Sequence, residues 1–177
     1  KQLTGTRLGI LGMGRIGRKI ASIAKSLGMT IHYHNRSKLS KDKEDGATFH
    51  KDLKSLLNVS DVLSVCCPAT KETTNLINKE TLEYLPPGAV VTNVARGDIV
   101  NDEALIEALN SRKVYAVGLD VYKGEPNLNP GYLKHKSAFI LPHLGSASKH
   151  TRTAMANLAI DNIDEFFKTG SSKNKVN

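Results

Sequence analysis

Short, continuous apolar runs alternate with stretches of helical period along most of the chain. The runs at 7–11, 30–34, 62–66, 89–94, 115–121 and 138–141 predict strands, with a weaker one near 47–50. Helical spacing predicts helices over 16–27, 52–57, 78–84, 102–110 and 151–167, the fourth with Ala104, Leu105, Ala108 and Leu109 on its inner face. In the first of them Ile16, Ile20, Ile23, Ala24 and Leu27 recur at helical spacing. Pro86 and Pro87 stop the helical turn before them. No internal repeat is present. Strands apolar on both faces belong in a parallel sheet covered by helices on both sides, so the expected fold class is α/β, a Rossmann-type doubly wound sheet.

In such sheets ligands bind beyond the carboxyl ends of the strands. Just past the first strand stands Gly12-Met13-Gly14-Arg15-Ile16-Gly17, a GxGxxG between a strand and a helix. Gly12 permits the tight turn, Gly14 lets a pyrophosphate approach the backbone, and Gly17 lets helix and strand pack closely. The helix N-terminus offers free N–H groups and a positive dipole end to the phosphates. Arg15 either touches a phosphate or is a solvated side chain.

About 20 residues further on, an NAD-binding unit carries an acid for the ribose 2′-hydroxyl. Here the second strand ends in His34-Asn35-Arg36-Ser37-Lys38, without that acid. Asn35 takes its place, and Arg36 offers a guanidinium suited to a 2′-phosphate and to stacking on adenine. Ser37 and Lys38 add a hydroxyl and a charge. NADP(H) is therefore favoured and NAD(H) remains possible; an ordinary basic loop is the plain alternative, since Lys41 and Lys43 follow.

The net charge of +8 raises the question of an anionic partner. The basic residues are scattered, with no Lys/Arg run or aromatic interleaving, so an anionic small molecule is expected and nucleic acid is not. The adjacent Cys66 and Cys67 read as small buried hydrophobes in a reducing, cytoplasmic setting. No apolar run approaches the roughly 20 residues of a membrane span, and the N-terminus lacks the pattern of a signal peptide. His32 and His34 alternate on one strand, but two ligands without a third do not make a metal site, and none is expected. His50, His135 and His150 have no partner legible in the sequence. The stretch 171–177 reads as a polar tail that need not pack.

Ala95-Arg96-Gly97-Asp98-Ile99-Val100, then Gly118-Leu119-Asp120-Val121 running to Gly124-Glu125-Pro126, then Pro142-His143-Leu144-Gly145-Ser146-Ala147 follow the glycine loop in that order. These segments carry an imidazole, a carboxylate and a guanidinium, suited to moving a proton and holding an anion. His143 carries an imidazole, a side chain suited to proton donation. Glu125 suits holding the second ring nitrogen, and Arg96 suits clamping a carboxylate. Taken singly, each also reads as an ordinary loop residue.

With these motifs the chain resembles the D-isomer-specific 2-hydroxyacid dehydrogenases from about Gly5 to Phe167, most nearly the glyoxylate/hydroxypyruvate reductases. The resemblance implies reduction of a small 2-keto acid, which needs a hydride donor, a proton donor and a carboxylate anchor, and it implies the same catalytic roles for His143, Glu125 and Arg96, with Asp120 near the nicotinamide carboxamide. It implies a cofactor groove lined by Cys67 and Pro68 on to Thr70, by Thr73, and by Thr92 to Ala95 with Val94 and Ala95 foremost, with Arg96, His143 and Gly145 beside them. Family members are similar to two-domain enzymes. The expectation is thus a dinucleotide-binding domain at 1–150 and a closing helix and tail at 151–177. These would return toward a substrate lobe absent from this chain, an N-terminal lobe of roughly 100 residues. A homodimer through the cofactor domain is also implied, with Thr81 to Leu85 and the helix from Thr151 as candidate surfaces. Two alternatives stay open: a dinucleotide-sensing module like the corepressors that share this fold, and a dehydrogenase acting on another 2-hydroxy acid.

Overall fold

The computed structural model describes residues 2–176. They form two compact units, the first running through Pro142 and the second opening at His143.

The first unit is a seven-stranded sheet: β1 (Arg7–Leu11), β2 (Thr30–His34), β3 (Thr48–His50), β4 (Val62–Val65), β5 (Ala89–Asn93), β6 (Val114–Leu119) and β7 (Ala138–Ile140). Every pairing is parallel, in the order β3-β2-β1-β4-β5-β6-β7. The order reverses between β1 and β4, so the crevice of a doubly wound sheet opens beyond Leu11 and Val65. The helices are α1 (Arg15–Ser26), α2 (Lys41–Glu44), α3 (Leu53–Leu57), α4 (Lys79–Glu83) and α5 (Asp102–Asn110). One apolar cluster gathers around α1 from Leu8, Ile10, Met13, Ala21, Ala24, Met29, Ile31 and Tyr33. A larger one joins Leu56, Leu63, Val65, Leu82, Val91, Leu105 and Tyr132.

Most predicted elements appear within one or two residues, and α5 buries all four expected side chains. The inner face of α1 differs from its apolar spacing. Gly17, Ala21 and Ala24 are buried, whereas Ile16, Ile23 and Leu27 are exposed. Ile20 packs against the cluster as its spacing predicts, but at Gly17 the helix lies too close to the sheet for any side chain: a Cβ there would sit 2.6 Å from the Gly12 carbonyl oxygen. The segment 81–85 is also no free apolar surface, because Leu82 and Leu85 are buried in the larger cluster.

Short caps define the other helix starts. Asp52 accepts the Ser55 N–H (2.8 Å), Asn101 accepts the Ala104 N–H (2.8 Å), and Asn78 and Thr81 form a capping box. A buried hydrogen bond from the Tyr132 hydroxyl to Asp102 (2.9 Å) ties the 3-10 turn at Pro130–Lys134 to α5.

The second unit is built on α6 (Lys149–Thr169), capped by Ser148, which accepts the Thr151 N–H at 3.1 Å. Met155, Leu158, Ile160, Ile163, Phe166 and Phe167 are exposed on it. The polar tail is exposed apart from the half-buried Ser172, but it is hydrogen-bonded to α6: Ser172 and Asn174 donate to Asn162 (2.7 and 2.8 Å), and the Lys173 N–H donates to Glu165 (3.0 Å). Among the described residues no helix is long and apolar enough to cross a membrane, and no group of three or more His, Cys, Asp or Glu converges to hold a metal ion.

Candidate functional site

The glycine loop joins β1 to α1 at the crevice. Gly12 has a φ of +94°, and a Cβ there would lie 2.5 Å from backbone atoms of Cys67 at the end of β4. Only glycine satisfies both the left-handed turn and this approach. At Gly14 the space a side chain would occupy is open, so a ligand is free to reach the backbone.

Gly14 is also the N-cap of α1, which therefore has no side-chain cap, and its first turn holds no acid. The N–H groups of Arg15, Ile16 and Gly17 are the ones an α-helix leaves without an internal partner. Helices α3 to α6 all begin with a capping side chain. An uncapped, acid-free N-terminus behind a glycine turn suits an anion, and the residues present fit a dinucleotide pyrophosphate. Arg15 and Ile16 are exposed at this end.

At the end of β2, the Asn35 side-chain oxygen accepts the Met13 N–H at 2.7 Å. The residue at the acid's usual place thus braces the glycine loop. Arg36, Ser37 and Lys38 are exposed beyond it. Lys38 lies 3.8 Å from Glu44. Glu72, held below the usual carboxylate range first by the Thr70 hydroxyl, also feels the positive charge of Arg36. Arg36 and the loop after β4 therefore stand near one another.

That loop begins with Cys67 and Pro68. Thr73 fastens it, donating to the Pro68 carbonyl (2.8 Å) and accepting the Thr70 N–H (2.7 Å). Burial pushes the Cys67 thiol up to about 11 and also raises Cys66. Neither is a ready thiolate, which fits small core residues.

After β5 come Val94, Ala95 and Arg96. Asn93 is buried; its amide donates to the Arg96 carbonyl (2.9 Å) and its oxygen accepts the Ala95 N–H (3.0 Å). The sequence placed it only within the Thr92 to Ala95 stretch expected along the cofactor groove; its task as the brace of the Arg96 turn was not legible there. Arg96 is exposed, with Nη1 donating to the Ala95 carbonyl at 2.6 Å. A side chain at Gly97 would run into the backbone of Tyr122, so the turn bearing Arg96 lies against the segment after β6. There the Asp120 N–H donates to the Asn93 carbonyl (3.0 Å). The Glu125 carboxylate accepts the Tyr122 N–H (3.1 Å), and the Glu125–Pro126 peptide is cis.

In the first unit the fold thus gathers Gly12 to Gly17, Asn35 to Ser37, Cys67 to Thr73, Val94 to Arg96, Asp120 and Glu125 around the carboxyl ends of β1, β2, β4, β5 and β6. His143 and Gly145 belong to the second unit. His143 is exposed and has a φ of +54°, a conformation uncommon for a residue with a Cβ.

An open parallel sheet with a phosphate loop at its switch point defines a dinucleotide-binding domain. Residues 1–145 match the family model described as the D-isomer specific 2-hydroxyacid dehydrogenase, NAD binding domain, and the chain belongs to that family. It is 42% identical over 169 residues to a glycerate dehydrogenase of Hyphomicrobium methylovorum, covering 94% of this chain and 52% of that protein. To a glyoxylate reductase of Thermococcus litoralis it is 38% identical over 175 residues, covering 99% and 53%. Two crystal structures superpose closely. One is a glyoxylate reductase from Paecilomyes thermophila, with a TM-score of 0.96, 40% identity and coverage of 99% and 53%. The other is an NADPH-dependent glyoxylate/hydroxypyruvate reductase from Sinorhizobium meliloti in complex with NADP and malonate, with a TM-score of 0.91, 37% identity and coverage of 96% and 52%. The chain spans about half the length of these relatives.

Proposed function

We propose that this chain is the cofactor-binding half of an NADPH-dependent reductase that converts a small 2-keto acid, of the glyoxylate or hydroxypyruvate type, to the D-2-hydroxy acid. The observation that carries the cofactor choice is the end of β2. No carboxylate stands there to meet a ribose 2′-hydroxyl; Asn35 is turned to the Met13 N–H and the exposed Arg36 follows. A relative whose name states NADPH dependence supports the same choice.

A nicotinamide held there would supply the hydride. The chain's own residues do the rest. Gly14 and the N-terminus of α1 hold the pyrophosphate, and Arg36 with Ser37 holds the 2′-phosphate. Asn93 fixes the turn from which Arg96 reaches out, and Arg96 clamps the substrate carboxylate and polarises the keto oxygen. His143 gives its proton to the oxygen as the alkoxide develops. Its left-handed backbone is the kind of strain that a fold retains at working positions. Glu125, whose carboxylate accepts the Tyr122 N–H, is assigned the role of the negative charge that favours a protonated imidazole. The substrate lobe lies in the part of the relatives that this chain does not span, and the whole enzyme works as a cytoplasmic homodimer.

Parallel titrations with NADPH and NADH, followed by nicotinamide fluorescence and repeated with Arg36→Asp, test the cofactor choice. Tighter NADPH binding that the substitution reverses is expected. Equal or tighter NADH binding would make Arg36 a surface residue and the enzyme NAD-linked.

A further inference from the structure

We infer that Tyr33 and Glu44 form a clamp that positions the Arg36–Ser37 loop from behind, without touching the cofactor. This rests on the assignment of that loop to a 2′-phosphate.

Tyr33 is the penultimate residue of β2 and fully buried at 0% exposure, among Ile10, Met13 and Ile31. Packing alone would be served as well by phenylalanine. The hydroxyl instead makes two hydrogen bonds, both to the segment that follows the loop. It donates to Glu44 Oε1 at 2.6 Å and accepts the Leu39 N–H at 3.0 Å. A buried phenol and a buried carboxylate are costly unless paired, so each secures the other's place. Burial and the Glu44 carboxylate push the phenol up to about 12, so it remains the donor at any working pH.

The partner segment's other ties are at its surface or its far end: the half-exposed Lys25 pairs with Asp45 at 2.9 Å, Lys38 lies 3.8 Å from Glu44, and Leu39 and Ala47 are only partly buried. Helix α2 is four residues long and has no side-chain cap. So short a helix has no stability of its own. A cavity of about 270 Å³ opens beside it, lined by Met13, Arg18, Ala21, Ile31, Lys43 and Glu44 among others, so packing from that side is incomplete. The loop is therefore pinned at both ends by hydrogen bonds: Asn35 to the Met13 N–H and Leu39 to the Tyr33 hydroxyl. The exposed Arg36, Ser37 and Lys38 lie between the pins. Ordering a loop before the ligand arrives removes that entropic cost from binding, and the gain falls on the group the loop reads.

The test compares 2′,5′-ADP with 5′-AMP, two fragments that differ only in the 2′-phosphate. Dissociation constants are measured by calorimetry for the protein and for Tyr33→Phe and Glu44→Gln. The wild type binds 2′,5′-ADP more tightly. Tyr33→Phe removes both hydrogen bonds and lowers that preference about three- to tenfold, the worth of the Leu39 bond that pins the loop, and leaves 5′-AMP affinity within about twofold. Glu44→Gln keeps an oxygen for the Tyr33 hydroxyl and holds the preference at or above that of wild type. An unchanged preference in Tyr33→Phe, an equal loss of both nucleotides, or a loss in Glu44→Gln as large as in Tyr33→Phe overturns the clamp alone. A wild type indifferent to the 2′-phosphate overturns the NADP assignment and the clamp with it.

Discussion

The side-chain oxygen of Asn35 accepts the backbone N–H of Met13 at 2.7 Å, tying the end of β2 to the middle of the glycine loop. The residue that replaces the ribose-binding acid thus has a structural task, and a carboxylate at this position would perform it equally well. Asn35→Asp is expected to keep the fold while adding a negative charge beside Arg36. NADPH affinity should fall at least about tenfold, a common effect of one unfavourable close charge, and NADH affinity should hold or rise. Fluorescence titration of both cofactors decides it; an unchanged ratio would separate Asn35 from the ribose.

Gly12 combines a φ of +94° with a backbone neighbour 2.5 Å from where a Cβ would stand. Gly12→Ala is expected to cost at least about 2 kcal/mol, since neither the dihedral nor the Cys67 backbone yields cheaply. Urea unfolding measures this. A loss below about 0.5 kcal/mol would mean the loop relaxes freely.

Three histidines line one part of the sheet edge. A hydrogen bond joins His32 Nδ1 and His50 Nε2 at 2.9 Å, and His34 Nδ1 donates to the His50 carbonyl at 2.9 Å. His50, without a legible partner in the sequence, is thus paired. Burial lowers both His32 and His50; Arg7 and His50 push His32 down and Asp61 opposes them, while His34 lowers His50 and Asp52 opposes it. A histidine with a depressed folded value stabilises fully above its unfolded value, about 6.5, and loses that contribution as pH falls through the folded one. The urea midpoint should therefore drop from pH 7.5 to pH 5, and His50→Gln should flatten the drop. An equal slope in the variant would place the acid sensitivity elsewhere.

Arg96 leaves the turn that Asn93 braces. In the full-length enzyme, Arg96→Gln is expected to lower kcat/KM for the keto acid about 10²–10³-fold, as loss of a charged oxyanion donor does. NADPH affinity should stay within a few-fold. A variant with normal kcat/KM would remove Arg96 from the substrate site.

The parallel sheet and its carboxyl-edge residues were legible because they depend on local signals. Strands apolar on both faces, the GxGxxG between β1 and α1, and the missing acid after His34 are each contained in a few neighbouring residues. The short α2 was not, since Lys41-Asp42-Lys43-Glu44 has no apolar period to announce a helix. The face of α1 was legible at Ile20 and Ala24 and misread at Ile16, Ile23 and Leu27 for a related reason: spacing ranks isoleucine and leucine above glycine and alanine as core residues, but the close approach at Gly17 leaves no room there for a side chain.

By itself, then, the sequence determined which segments become strands and where the glycine turn, Arg36, Arg96, Glu125 and His143 fall along them. Only the tertiary structure decided what those residues lean on. Asn35 meets Met13 from 22 positions away, Glu44 meets Tyr33 from 11 and His50 meets His32 from 18. Periodicity reports contacts within a turn or two of chain. A pairing between β2 and the segments on either side of it exists only once parallel strands have brought those segments together, and no spacing rule along the chain encodes it.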